Sequence, residues 1–240
     1  MDYSFVSKYA RWIQEKKRRE TWRESVDRVM NMMYEQYPEI NGDIAWAYDM
    51  MYKKQVLGSQ RALQFGGKPI FKHNARMYNC IASYADRLRF FQESMYLLLC
   101  GCGVGFSVQK HHINKLPKLV TKKDGVKKFT IPDTIEGWSD AVGVLVSSYF
   151  EQKSIFQEYS GKTVSFDYSK IRPAGSYLSS SSGKAPGPEP LKKALGNIKK
   201  VLDKSIKNAE FSSRRLSPID AYDVVMHSAD AVISGGVRRS

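Results

Sequence analysis

Three thiols stand out as residues able to do redox or nucleophilic chemistry: Cys80, Cys100 and Cys102. Cys80 sits in the short apolar run MYNCIA (77–82), where a cysteine is either a reactive group on a strand or an inert core residue. Cys100 and Cys102 flank Gly101 at the start of GCGVG (101–105) and read as packing residues. An odd, low cysteine count excludes a disulfide framework and points to a reducing compartment. A zinc site is not expected either. Cys-x-Cys supplies too few ligands, and the adjacent His111 and His112 would point in different directions on a regular element. The glycines of GCGVG suit either close approach of backbone to a phosphate or a tight helix-to-strand turn. Arg172 precedes the Gly/Ser/Pro-rich stretch 172–190, which suits a bidentate phosphate contact or a solvated linker. Gly235–Arg239 is an anion site or a helix stop.

The elements that must hold these residues follow from periodicity. Apolar residues recur at helical spacing through 3–36, ending at Pro38 and Gly42, and a second helix is expected at 43–54. The stretch 58–75 reads as irregular, with room for a short strand at its start. MYNCIA reads as a buried strand, Asp86 as the cap of a helix over 87–99, and FSVQ as the next strand. That strand–helix–turn–strand order is the grammar of an α/β fold. Residues 120–131 predict a hairpin around Lys123-Asp124-Gly125. Asp133 with Glu136 predicts a capping box opening a helix to about 151. A strand at 161–166, a basic amphipathic helix at 191–207, and a helix from Ser217-Pro218 to Gly235-Gly236 complete the pattern.

Composition bounds the function. Hydrophobic residues are 42% of 240 and aromatics 12%, which excludes wholesale disorder. No run approaches the roughly 18 apolar residues of a membrane helix. The opening MDYSFVSKYARW has no apolar signal-peptide core, so a cytoplasmic protein without a membrane partner is expected. Lys and Arg number 38 against 24 Asp and Glu, a net charge of +14. This surplus favours an anionic partner or is merely solvated. No arrangement suggests a helix-turn-helix or an aromatic RNA-binding sheet, and no direct nucleic-acid contact is expected.

The succession MYNC, GCGVGFS, IPDTIEGW, IRPAG followed by GKAPGP, and GGVRRS resembles ribonucleotide reductase. It looks most like the adenosylcobalamin-dependent class in its monomeric, ribonucleoside-triphosphate-reducing form. LGSQRAL before MYNC, INKLP after GCGVGFS, and the opening KYARW…RRETWRESVDRV add to the match, which covers essentially the whole chain.

The resemblance implies an N-terminal helical region (1–56) followed by the first part of a ten-stranded α/β barrel (57–240), incomplete in this chain. An insertion at about 110–170 would stand in for a dimer partner at an allosteric site. It implies that Cys80 is the first cysteine of a reducing pair, and that Asn79 and Gly103 meet the substrate. Asp86, Arg172, Ser179 and the loop to Gly187 would hold a deoxynucleoside triphosphate effector. Arg238 and Arg239, in GGVRRS, would open a second specificity loop. The thiyl-radical cysteine, the second redox cysteine and most of the adenosylcobalamin site are expected beyond Ser240, through an interrupted gene or a split enzyme. The expected partners are a ribonucleoside triphosphate, the effector, a thioredoxin-like reductant and the remaining C-terminal part, without which the chain is inactive. The alternative is a non-catalytic nucleotide-binding remnant; a nucleic-acid-binding protein rests on charge alone.

Overall fold

The computed structural model describes residues 2–122, 125–151, 155–176, 184–209 and 214–233. They fall into two compact units that divide between Asn79 and Cys80. The boundary expected at 56/57 lies inside the first unit.

The first unit comprises helix α1 (Asp2–Lys8), a two-residue-per-strand hairpin of β1 (Trp12–Ile13) and β2 (Arg18–Arg19), and helices α2 (Trp22–Gln36), α3 (Asn41–Tyr52), α4 (Gln60–Phe65) and α5 (Lys68–Lys72). The helix expected throughout 3–36 is therefore broken. Residues 14–20, QEKKRRE, offer no apolar side chain for a buried stripe, and the chain turns back on itself there, with Lys17 at φ 47°. Helix α2 restarts from a capping box: Thr21 Oγ1 accepts from the Glu24 amide, and the Glu24 carboxylate accepts from the Thr21 amide. Its inner face, Val26, Val29 and Met32, packs in one apolar cluster with Ile44, Tyr48 and Met51 of α3 and Leu63 and Phe65 of α4. The stretch 58–75 is helical rather than irregular, because Ser59 caps α4 and Ala62, Leu63 and Phe65 point inward.

A buried ion pair ties this unit together. The Glu20 carboxylate accepts both Arg28 Nε and Nη2 at 2.8 Å, the Ser25 hydroxyl at 2.8 Å and the Arg11 amide at 3.1 Å. Arg28 also donates to the Leu63 and Gly66 carbonyls, and Arg11 to the Gln64 carbonyl. Burial alone would raise the Glu20 carboxyl, but the Arg28 fork and the other donors outweigh it and hold it below its ordinary value. Burial and the neighbouring Arg28 pull Arg11 down to about 10.

The second unit contains two β–α–β crossovers. In the first, β3 (Cys80–Tyr84) and β4 (Gly103–Ser107) pair in parallel across α6 (Arg89–Leu99). After a short α7 (Lys110–Ile113), the second pairs β5 (Val126–Thr130) in parallel with β6 (Thr163–Asp167) across α8 (Ile135–Ser147). Helices α9 (Glu189–Ala209) and α10 (Pro218–Ile233) complete a four-helix group in which α6 packs on α8 and α10, and α9 on α10 and α8. Their shared core includes Phe90, Met95, Val142, Leu145, Ile198, Leu202 and Val225. The α/β class expected from the sequence is present, as two separate two-stranded parallel sheets.

Three local expectations are corrected. The hairpin at 120–131 is absent from the described pairing: β5 pairs with β6, while Val120 donates to the Tyr149 carbonyl after α8. Its turn residues, Lys123 and Asp124, lie outside the described residues. Asp86 does not cap α6, which starts from Leu88 with no side-chain cap; Asp86 pairs with Arg87 instead. Helix α8 is capped by Thr134 rather than Asp133, its hydroxyl accepting from the Gly137 amide at 2.9 Å. The end of α10 at Gly235-Gly236 lies outside the described residues.

Truncating Glu20 leaves the Arg28 guanidinium buried and unpaired, so Glu20→Ala is expected to destabilise the first unit by about 3–5 kcal/mol in urea unfolding. Because the Glu20 carboxyl is lowered on folding, its contribution is present above the ordinary carboxylate range and lost as pH falls through the folded value. Glu20→Gln should flatten that acid loss, and an unchanged acid limb would remove Glu20 as its source.

Candidate active site

Cys80 is the first residue of β3 and is exposed; the strand is not the buried one that the apolar run suggested. Its partner across the parallel ladder is Gly103, followed by Ile81–Val104, Ala82–Gly105, Ser83–Phe106 and Tyr84–Ser107. Paired residues of a parallel ladder face the same side, and side chains alternate along each strand. Cys80, Ala82 and Tyr84 therefore share a face with Gly103, Gly105 and Ser107. The other face carries Val104, which is buried, and Phe106, whose ring lies 5.6 Å from that of Phe90. The thiol thus stands beside a strip of backbone kept bare by two glycines. This is an arrangement in which a ligand can approach both sulfur and main chain.

The remaining glycine of GCGVG has a structural task. Gly101 has φ 89°; its amide donates to Leu98, and the Cys102 amide donates to Leu97. That is a Schellman closure of α6, which turns the chain directly into β4. Cys100 and Cys102 are fully buried around it, as the packing reading expected.

Asn79 is the last residue of the first unit. Its side-chain oxygen accepts from Arg61 Nε at 2.7 Å, and Arg61 is itself buried, its guanidinium 5.6 Å from the Phe65 ring. The sequence reading noted LGSQRAL only as a motif; Arg61 within it is the residue that orients Asn79.

Asp86 and Arg172 are held in different ion pairs. Asp86 meets Arg87 at 2.9 Å, and Arg87 also reaches Glu93. His112 stacks by Tyr84, ring centroids 4.6 Å apart, and its imidazole is lowered by partial burial and by the His111 and Lys115 charges, against the pull of Asp86. Arg172 Nε donates to Asp133 at 2.5 Å. Asp133 was read as a helix cap; its actual partner could be found in the sequence only by pairing IPDTIEGW with IRPAG. Ser179, the loop onward to Gly183, Arg238 and Arg239 lie outside the described residues. Among the described residues no group of three or more His, Cys, Asp or Glu could hold a metal ion, and no described helix is long and apolar enough to cross a membrane.

Residues 107–202 match the family described as B12-dependent ribonucleotide reductase, insertion domain. Curated adenosylcobalamin-dependent ribonucleoside-triphosphate reductases align with 97% of the chain: those of Lactobacillus gasseri and Lactobacillus leichmannii at 26% identity, and that of Levilactobacillus brevis at 24%. The chain resembles the N-terminal part of an adenosylcobalamin-dependent ribonucleotide reductase. It spans 39% of the length of these relatives. The crystal structure of a B12-dependent (class II) ribonucleotide reductase shares the fold, with a TM-score of 0.79 and 23% identity over 99% of this chain and 40% of that one. The reductase resemblance drawn from the ordered motifs is thus borne out.

The three thiols differ sharply in access. In the native chain Cys80 is expected to react with a disulfide reagent such as Ellman's, while Cys100 and Cys102 react only after unfolding in denaturant. Counting released thiolate before and after denaturation should give one and then three, and Cys80→Ser should remove the native signal.

Proposed function

We propose that the chain is the N-terminal part of a ribonucleotide reductase that converts ribonucleoside triphosphates to deoxyribonucleotides. Cys80 acts as one of its two reducing thiols. The observation that supports this best is the register Cys80–Gly103, which sets an exposed thiol beside bare backbone inside a chain that aligns with such reductases over 97% of its length. In the reaction the ribose 2′-hydroxyl leaves as water and C2′ gains hydrogen. Two thiols lose hydrogen and join as a disulfide, which a thioredoxin-like dithiol reduces again. The main chain at Gly103, paired with Cys80, is the proposed contact for the ribose, and Asn79, fixed by Arg61, keeps its expected role of meeting the substrate. The β3–β4 sheet is the beginning of a larger α/β barrel completed by the rest of the protein. The thiol count fits a reducing compartment, and the cytoplasm is the proposed location.

The relatives are adenosylcobalamin-dependent, and the cofactor would supply the radical that starts the reaction. Its site is assigned to the remaining part of the protein, and no step carried by this chain runs through it.

Asp86 and Arg172 are the proposed contacts of a deoxynucleoside triphosphate effector, a role also expected of Ser179, Arg238 and Arg239, which lie outside the described residues, and the insertion at about 110–170 is proposed to stand in for a dimer partner. Arg172 and Asp133 are both part-exposed, so their pair is worth at most about 1 kcal/mol and exchanges readily for a phosphate.

The test combines the 240-residue chain with a polypeptide supplying the unmatched part of the Lactobacillus gasseri relative, together with a ribonucleoside triphosphate, adenosylcobalamin and a dithiol. Deoxynucleotide formation is expected, with a loss of more than about 1,000-fold in Cys80→Ser. Deoxynucleotide binding without any turnover in every combination would support a non-catalytic remnant instead. Arg172→Ala is expected to weaken deoxynucleotide binding about 10-fold or more in equilibrium dialysis; unchanged affinity would remove Arg172 from the effector role.

A further inference from the structure

Helix α9 contains one residue that its own stability does not explain. Gly196 lies in the middle of a 21-residue helix, is exposed, and a Cβ built on it meets nothing within 4 Å. A mid-helix glycine costs about 1 kcal/mol relative to alanine, and neither a close neighbour nor a left-handed backbone requires it here. What the missing side chain does is leave open the edge of a cavity of about 220 Å³, bounded by α9, α8 and β6.

The lining has two chemistries. The floor is aromatic: Tyr149, Phe166 and Tyr168. Tyr149 is fixed in place, its hydroxyl donating to Asp203 at 2.5 Å and its ring lying 3.6 Å from Lys122 Nζ. All three hydrogens of that ammonium are used within the protein, on the Ser148 carbonyl, the Ser148 hydroxyl and the Lys162 carbonyl. Lys122 therefore braces the floor and is not a ligand contact. The mouth is basic: Lys192 and Lys199 lie four residues before and three after Gly196, on the same helix face. Lys192 pairs with Glu189 and lies 5.4 Å from the Tyr168 ring centroid, and Lys199 pairs with Asp203, whose carboxylate also lines the cavity; both are part-exposed pairs of small net strength, open to exchange. Exposed Lys193, Lys200, Lys204 and Lys207 extend the positive field along the helix.

A volume near 220 Å³ is below the roughly 300–1,000 Å³ of a pocket that encloses a whole ligand, and it suits a single ring system. Aromatic side chains stack on a base, and lysines at the rim meet what is attached to it. We propose that this cavity is a nucleotide site: the base enters against Tyr149, Phe166 and Tyr168, and the phosphates are held at the mouth by Lys192 and Lys199. It shares no residue with Cys80, Asp86 or Arg172, and it does not depend on the reductase reading.

The test titrates the 240-residue chain with ATP, tripolyphosphate and adenosine, using an Arg172→Ala background to weaken the other proposed nucleotide site. ATP is expected to bind, with adenosine competing and tripolyphosphate weaker than ATP. Gly196→Leu, which fills the mouth, and the double change Lys192→Gln with Lys199→Gln should each weaken ATP about 10-fold or more. Urea unfolding should show Gly196→Leu at least as stable as the parent, so that lost binding is not lost structure. Unchanged ATP affinity in both variants overturns the proposal. Tripolyphosphate binding as tightly as ATP without competition by adenosine also overturns it, leaving a simple anion patch. A single-stranded oligonucleotide binding far more tightly than ATP, with the same sensitivity to the variants, would replace the free nucleotide with nucleic acid.

Discussion

Parallel pairing of β3 with β4 is the constraint from which the second unit follows. Two parallel strands cannot be joined by a short turn; the chain must leave one end of the sheet and return to the other. Helix α6 makes that return, and its Schellman closure at Gly101 delivers the chain into β4 with Gly103 opposite Cys80. A crossover helix as apolar as α6, with Phe90, Phe91, Met95 and Leu98 all buried, cannot stand against two strands alone. It needs α8 and α10 to cover it, and α8 in turn belongs to a second crossover between β5 and β6. The position of one thiol is thus set by a four-helix core.

The first unit solves a different problem with charge. The second strand and the turn of the hairpin between α1 and α2 consist of polar and charged residues with little to bury. Glu20 gathers the hairpin, α2 and the last carbonyls of α4 through Arg28 and Arg11, so one carboxylate adds a charged hub beside the apolar cluster of α2, α3 and α4. Such a hub is strong only while both partners remain, because each alone is a buried charge.

Much of this was legible where local signals agree. The strand–helix–strand order, the start of α10 and the amphipathic α9 follow from caps and periodicity. The signals failed where tertiary contacts overrode them. Apolar residues on either side of 14–20 mimic one long helix, but the charged stretch between them turns back as a hairpin. The residues around Gly125 look like a hairpin until β5 finds its partner 37 residues later in β6. Asp86 and Asp133 both look like helix caps, yet each answers an arginine, one adjacent and one distant. The motif succession was legible as a family resemblance, whereas Arg61, acting through a single hydrogen bond to Asn79, and the role of Gly196 needed coordinates.

Those motifs are not independent signatures, because contacts join them. MYNC meets GCGVG in the Cys80–Gly103 register, and IPDTIEGW meets IRPAG in the Asp133–Arg172 pair. LGSQRAL reaches MYNC through Arg61 and Asn79, and the opening helical motifs reach LGSQRAL through Arg28 on the Leu63 carbonyl. The order of motifs along the chain therefore encodes a set of pairings. The pairing at Cys80 is a backbone ladder, whereas the one at Arg172 joins two part-exposed side chains: the first fixes a residue through the main chain, and the second matches a cation to an anion across 39 residues of sequence.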